Sequence, residues 1–319
     1  MIETFNISIG EFYFVNIRTS FLPCQLNDPQ QFSHIDRKLS VCEIFRSKSG
    51  NASLNKFKED GELIEALARG LAVIECFDAD QPEMTLSEVA KKTDITPATA
   101  RRILRTLVVL GYARNVNKRF LLTPKALGLG AAYARSAQLE EALMPELRRL
   151  VGIYGDASSV TVLSGTDVLY IAHYSDQKAR RISAGAGVTY PAYPTSMGRV
   201  LLSGLSEGEL DQYLSQGSFE QRTEHTVIDP DELKKIIQKT RKQGYSTSTD
   251  ELFYGVTAIA VPIMAVPGEV IAAINSSGYS GGVTADDLIS DRLEDLRISA
   301  DRIGETLMRF PALRHSINR

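Results

Sequence analysis

The chain is poor in the residues that build metal centres and disulfide frameworks. Its 319 residues hold three cysteines, Cys24, Cys42 and Cys76, far apart and without a C-x-x-C pair, and four scattered histidines. Neither a disulfide scaffold nor a zinc site follows from that spacing, and no cofactor is expected. No apolar run approaches the roughly 18 residues of a membrane-spanning helix. The N-terminus lacks a basic segment leading into an apolar core and a small-residue cleavage site, so the expectation is a cytoplasmic protein with no membrane partner. Catalytic signatures are scarce too: there is no G-x-x-x-x-G-K phosphate loop and no H-E-x-x-H, and a G-x-S-x-G nucleophile elbow is not expected. Asp250 and Glu251 are adjacent carboxylates, and on a strand they would face opposite ways, which is poor geometry for paired acid–base work.

What is present is an ordinary globular composition, 43% hydrophobic and 24% charged, with an uneven charge distribution. The length suits two domains or one large one. The formal net charge is −3, yet the stretch from Met84 to Ser136 holds ten lysines and arginines against only Glu88 and Asp94. That stretch therefore carries +8 and the rest of the chain −11. A small basic unit on an acidic body is the footprint of a nucleic-acid-reading module attached to something that does not bind nucleic acid.

Residues 1–60 show short alternating patches such as EFYFVNI between polar, uncapped sequence, and are expected to form a mobile or arm-like extension. From Gly61, LIEALARGLAVIECF places Leu63, Leu67, Leu71, Ile74 and Phe77 at helical spacing. Thr85 with Glu88 three residues on is a capping-box signal for a second helix. Thr96 as N-cap and Pro97 in the first helical position open a third, which Gly111 stops. On this third helix Ala100, Ile103, Leu104 and Leu107 share one face, while Ala98, Arg101, Arg102 and Arg105 share the other. YARNVNKRFLL then reads as two strands around a polar turn, with Arg114, Lys118 and Arg119 near the tip.

Three helices and a hairpin predict a winged helix-turn-helix at 61–123. In that arrangement the third helix enters the major groove with Thr96, Ala98 and Thr99 toward the bases. Arg101 and Arg102 are candidates for guanine edges, Arg105 for guanine or phosphate, and Arg114, Lys118 and Arg119 for phosphate or the minor groove. The ordinary alternative is a solvated helix face, and the combination of capped basic helix and basic hairpin outweighs it. A linker helix is expected at 124–137, with Gly128, Gly130, Ala131 and Ala132 suited to close helix packing. The remainder, 138–319, alternates strands and helices as in an α+β sensor domain with a central antiparallel sheet.

Several segments then resemble the IclR family of bacterial transcription regulators: ALARGLAVIECF, LSEVAKKTDITPATARRILRTLVVLGY, RFLLTPKALGLGAAY, YPAYPTSMGRVLL, GVTAIAVPI and AAINSSG, in the family's order across about residues 62–310. ALARGLAVIECF, ARRI and PAYPTSMGRVLL look most like the branch that regulates aromatic-acid catabolism through the β-ketoadipate pathway and senses protocatechuate, 4-hydroxybenzoate or related acids. The resemblance implies a GAF-like α/β effector-binding domain whose pocket takes a small carboxylate. It carries effector contacts onto Thr195, Ser196, Met197 and Gly198, just before a helix, where N–H groups and the helix dipole suit an anion. Asn275 and Ser277 share one strand face, and Val256 and Ala258 would supply an apolar wall. The family's D-x-E pattern appears here with Thr249 in place of the first acid and Glu251 retained.

His173 and Tyr193 are further candidate donors to an aromatic acid, and Arg180 or Arg181 for its carboxylate. The simpler alternatives weigh more: a strand end for His173, the core for Tyr193, a surface loop for the arginines. The implied partners are a palindromic operator, a small carboxylate effector and a second copy of the chain, as a homodimer or dimer of dimers. The competing functions are a family regulator sensing a non-aromatic acid, a sensor module that has lost DNA binding, and an enzyme.

Overall fold

The structure, a computed structural model, describes residues 64–176 and 184–317. The expected arm at 1–60 and the candidates Arg180 and Arg181 lie outside the described residues. Helix α1 (Glu65–Glu75) leads to a short strand β1 (Glu83–Thr85) and helix α2 (Leu86–Lys92). The capping box forms as the spacing predicts: Thr85 Oγ1 accepts from the Glu88 N–H, and the Glu88 carboxylate accepts from the Thr85 N–H at 2.7 Å. Helix α3 (Pro97–Val109) opens on Thr96, whose hydroxyl accepts from the Thr99 N–H.

Strands β2 (Ala113–Val116) and β3 (Arg119–Leu122) form the hairpin. Its turn residues Asn117 and Lys118 both have positive φ, 51° and 67°, the left-handed pair of a two-residue hairpin turn. The wing has a third strand that sequence reasoning missed, because β1 pairs with β3 and three residues carry no readable period. The module packs on Val73, Cys76, Met84, Val89, Leu104, Leu107 and Ala113. This corrects the expected face of α1. Leu67 and Leu71 are exposed, Ile74 and Phe77 are half-buried, and Val73 and Cys76 fill the core instead.

A single 3-10 turn, Pro124–Ala126, precedes α4 (Leu127–Ser136) and α5 (Leu139–Tyr154). No described atom lies within 4 Å of the positions a Cβ would take at Gly128 or Gly130, so among the described residues these glycines serve no close helix packing.

The second half is built on one six-stranded antiparallel sheet, ordered β6-β5-β4-β9-β8-β7. Its strands are β4 (Ala157–Ser164), β5 (Asp167–Ser175), β6 (Thr189–Pro191), β7 (Ser246–Thr249), β8 (Thr257–Val266) and β9 (Glu269–Gly278). On one face α5, α9 (Ala285–Leu307) and α10 (Pro311–Ile317) cover Val160, Ile171, Ile259, Val261 and Ile274. On the other, α6 (Ser196–Ser203), α7 (Glu207–Gln216) and α8 (Pro230–Gln243) cover Val168, Tyr170, Ala260 and Ala273. Large β-branched side chains thus face α9, and alanines face α6.

Helix α9 approaches β8 so closely that a Cβ on Gly304 would stand 2.4 Å from the Met264 carbonyl oxygen. Gly304→Ala is expected to cost about 1–3 kcal/mol as helix and strand are forced apart, read as a lower thermal unfolding midpoint. An unchanged midpoint would mean that α9 is free to shift on the sheet.

Candidate functional site

Two features stand out, a basic helix and a cavity. On α3, Ala100, Leu104 and Leu107 are buried, while Thr96, Ala98, Arg101, Arg102 and Arg105 are exposed and Thr99 half-exposed beside Thr96. Arg114 and Lys118 are exposed on the wing. None of these five basic residues forms an ion pair with a described residue. Arg119 departs from the expectation. Its guanidinium bridges to Glu83 at 2.8 Å and approaches Glu88 at 3.9 Å, so β1 and the capping box hold it against the module.

The cavity, about 290 Å³, lies between the α6 face of the sheet and α6 itself. Its existence follows from strand register. Two adjacent cross-strand rows point into it: Ser175, Ala157, Ser277, Ala258 and Ser248 in one, His173, Ser159 and Asn275 in the next. No residue of the first row is larger than serine, so the floor leaves space where a neighbouring sheet would carry leucine or valine. Tyr170, Met197, Phe253 and Val256 form apolar walls. Phe253 meets the edge of Tyr190 with centroids 5.5 Å apart, and Tyr190 meets Tyr170 at 5.8 Å.

One end of the cavity is the start of α6. Thr195 caps it, its hydroxyl accepting from the Gly198 N–H at 3.0 Å. The Ser196 N–H donates to Ser248 Oγ at 3.2 Å, and Thr195, Ser196 and Met197 all line the space. Gly198 does not line it, which corrects its expected role. Its N–H is taken by the cap, and a Cβ there would meet the Ala192 carbonyl oxygen at 2.0 Å, so glycine serves the close approach of the 192–195 turn. A helix N-terminus framed by hydroxyls is a place for an anion. Among the described lining residues there is no lysine or arginine.

Behind this end lies Arg199, only 3% exposed. Its Nε donates to the Tyr193 carbonyl at 3.0 Å, Nη1 to the Thr247 carbonyl and to Glu251 Oε1 at 2.7 Å, and Nη2 to Glu251 Oε2. Glu251 lines the cavity and its charge is matched from behind. Asp250 sits beyond the end of β7 at φ 56° and accepts from the Gly255 and Val256 N–H groups and the Ser280 hydroxyl. Asp250 and Glu251 are therefore separate structural carboxylates in a turn, where a strand was expected. Ser280 belongs to Gly278-Tyr279-Ser280-Gly281-Gly282, a G-x-S-x-G spacing that the expectation overlooked. Its hydroxyl is engaged by Asp250 at 2.8 Å, and the nucleophile-elbow geometry of strand, sharp turn and helix is missing because α9 starts only at Ala285.

Asn275, Ser277, Val256 and Ala258 all line the cavity, as the resemblance implies, with Asn275 and Ser277 on one face of β9 and Val256 just before β8. Thr249 does not; its hydroxyl pairs with that of Thr257 at 2.9 Å. Tyr193 belongs to the core and donates to the Glu220 carbonyl. His173, a candidate donor weighed against a plain strand end, faces the cavity with Nδ1 2.9 Å from Ser159 Oγ, and burial pushes its pKa down. Ser159, Ala157, Ser175 and Ser248 were missed. The available signal was a run of small and polar residues inside otherwise apolar strands.

With this geometry in place the chain can be set beside known proteins. The IclR helix-turn-helix domain matches residues 66–116, and the bacterial transcriptional regulator IclR C-terminal domain matches residues 131–305. The chain belongs to the IclR family. It is 36% identical over 250 residues to the Pca regulon regulatory protein of Pseudomonas putida, covering 78% of this chain and 86% of that one. It is 31% identical to the p-hydroxybenzoate hydroxylase transcriptional activator of Acinetobacter baylyi over 76% of this chain and 91% of that one. The crystal structure of a transcriptional regulator from Rhodococcus sp. RHA1 superposes with a TM-score of 0.67 at 41% identity, covering 77% of this chain and 99% of that one. Among the described residues no helix is long and apolar enough to cross a membrane.

The buried pair generates a stability prediction. Arg199→Met strands the Glu251 carboxylate in the cavity wall and should cost about 3 kcal/mol, measured by denaturant unfolding at neutral pH. A loss below about 1 kcal/mol, the scale of an exposed pair, would show that Glu251 finds water once Arg199 is gone.

Proposed function

We propose that this IclR-family regulator reads a palindromic operator through α3 as a dimer or dimer of dimers, and that its cavity binds a small aromatic carboxylic acid that alters operator binding. The observation that carries the effector half is the cavity itself: an anion-ready helix start at one end, a small-residue floor and aromatic walls. The aromatic class is supported by the names of two relatives, which regulate the Pca regulon and p-hydroxybenzoate hydroxylase. The start of α6 receives the carboxylate at Ser196 and Met197, with Thr195, whose hydroxyl donates to the Ala192 carbonyl, holding the turn. Asn275 donates from the floor, Ser277, whose hydroxyl donates to the Ala157 carbonyl, lies beside it, and Val256 and Ala258 stand against the ring.

On the DNA side, the exposed Arg101 and Arg102 read bases. Arg105, Arg114 and Lys118 hold phosphate, and Thr96, Ala98 and Thr99 set how closely the helix start enters the groove. Arg119 supports the wing through Glu83 and is a weaker phosphate candidate. The regulator acts in the cytoplasm and needs no catalytic step.

The DNA half is tested with an operator fragment selected from a random library. Arg101 and Arg102 to Ala together should remove sequence-specific retardation, since each bidentate arginine supplies about 1–3 kcal/mol of base discrimination, while the oligomer mass stays unchanged. Retained specificity would take both arginines out of the reading role.

The effector half is tested by thermal unfolding against protocatechuate, 4-hydroxybenzoate, benzoate, adipate, pyruvate and glyoxylate. An acid at about 100 times its Kd stabilises by about 2.7 kcal/mol, and Asn275→Ala with Ser277→Ala should abolish the shift. A shift with only pyruvate, glyoxylate or adipate would replace the aromatic assignment with a non-aromatic one.

A further inference from the structure

The second row of the cavity floor fixes its own hydrogen bonding. His173 on β5, Ser159 on β4 and Asn275 on β9 are direct cross-strand neighbours, and all three line the cavity. The Ser159 N–H donates to Asn275 Oδ1 at 2.8 Å, and Ser159 Oγ lies 2.9 Å from His173 Nδ1. With its oxygen so engaged, Asn275 presents N–H donors to the cavity. His173, with Nδ1 engaged, presents Nε2, which no described residue hydrogen-bonds.

The His173–Ser159 pair has two proton arrangements. Either the Ser159 hydroxyl donates to Nδ1 and Nε2–H is a donor, or Nδ1–H donates to Ser159 and Nε2 is an acceptor while the serine hydrogen turns to the cavity. A ligand hydroxyl, donor and acceptor at once, fits both. A C–H at the same place fits neither and leaves polar groups unpaired, which is costly in a half-buried setting.

Position completes the argument. Helix α6 packs over β8 and β9, and its Ser196 N–H reaches Ser248 on the edge strand β7, so the anion-ready end lies on that side of the sheet. His173 lies on the other side of β4, two strands or roughly 9.5 Å from Asn275. A ligand whose carboxylate sits at the α6 start meets His173 only if it carries a second polar group several bonds away, which a two- or three-carbon keto acid lacks.

We propose that His173 and Ser159 form a hydroxyl-reading subsite, which selects hydroxy-substituted aromatic acids over the unsubstituted acid. The subsite rests on the effector assignment above and adds to it the polar group that the effector must carry. His173 is the contact residue, through Nε2, and Ser159 fixes which proton arrangement it shows.

The test is calorimetric titration of the full-length protein with 4-hydroxybenzoate and with benzoate, for the wild type and for His173→Phe and Ser159→Ala. The wild type is expected to prefer 4-hydroxybenzoate by about tenfold, the scale of one hydrogen bond left unmade. Each variant should bring that ratio toward one while its benzoate affinity stays put. A structural defect would weaken both ligands equally, so the ratio is the informative reading. His173→Gln, which keeps a donor and an acceptor, should restore part of the preference.

A wild-type ratio near one, or a ratio that both variants leave unchanged, overturns the subsite but leaves the aromatic effector standing. Failure of the wild type to bind either acid overturns both. Loss of fold in His173→Phe is covered by Ser159→Ala, which removes one oxygen from a buried position and adds no volume.

Discussion

The alternation of side-chain size along β8 and β9 governs the second half of the molecule. Ile259, Val261 and Ile274 turn to α9 and are buried there, while Ala258, Ala260 and Ala273 turn to α6. Each fully buried large aliphatic side chain contributes roughly 1.5–3 kcal/mol, and that crowded face offsets the packing forgone on the other. One sheet therefore serves as a core on one side and the floor of a vessel on the other. A one-residue slip in either strand would place isoleucines in the cavity and alanines against α9.

The vessel is closed by polar contacts where packing is thin. Arg199 anchors Glu251 and the Tyr193 and Thr247 carbonyls, tying the turn after β7 to the first turns of α6. Thr223 and Thr226 hold the Asp250 and Glu251 carbonyls from the chain before α8. Such contacts are directional, so they fix wall positions without filling space. They also keep two acids at this end engaged: Glu251, which lines the cavity, is matched by Arg199, and Asp250, in the turn beside it, is satisfied by backbone donors and Ser280. At the α6 end a ligand anion therefore meets a negative group already neutralised by Arg199, while Asp156 is a second carboxylate lining the cavity.

The sequence made the winged module legible because its signals are local. Thr85 with Glu88, Thr96 with Pro97, and the split of α3 into Leu104 and Arg101 faces each lie within a few residues. Resemblance placed Asn275, Ser277 and the start of α6. What escaped was non-local. Arg119 was counted as free because Glu83, just upstream of the basic stretch, becomes its partner only when β1 pairs with β3. The apolar periodicity of α1 was real, yet it did not say which residues face the module's core, and Val73 and Cys76 took that role over Leu67 and Leu71. His173, Ser159 and Ser248 come from three separate strands, and only register brings them to one cavity.

The two halves are joined through α4, none of whose apolar residues is buried among the described residues. Leu127 and Leu129 on α4 are 76% and 47% exposed, and Gly128 and Gly130 have open space beside them. Helix α5, by contrast, buries Leu139, Leu143, Leu147 and Leu150 in the core of the sheet domain. A ten-residue helix with an uncovered apolar flank is marginal alone, so a second copy that covers α4 would fix it and, with it, the separation of two α3 helices on DNA. An effector changes that separation only by binding one arrangement more tightly than the other. On the proposed reading, the chain path between cavity and α3 runs from the walls around α6 through the sheet and α5 to α4.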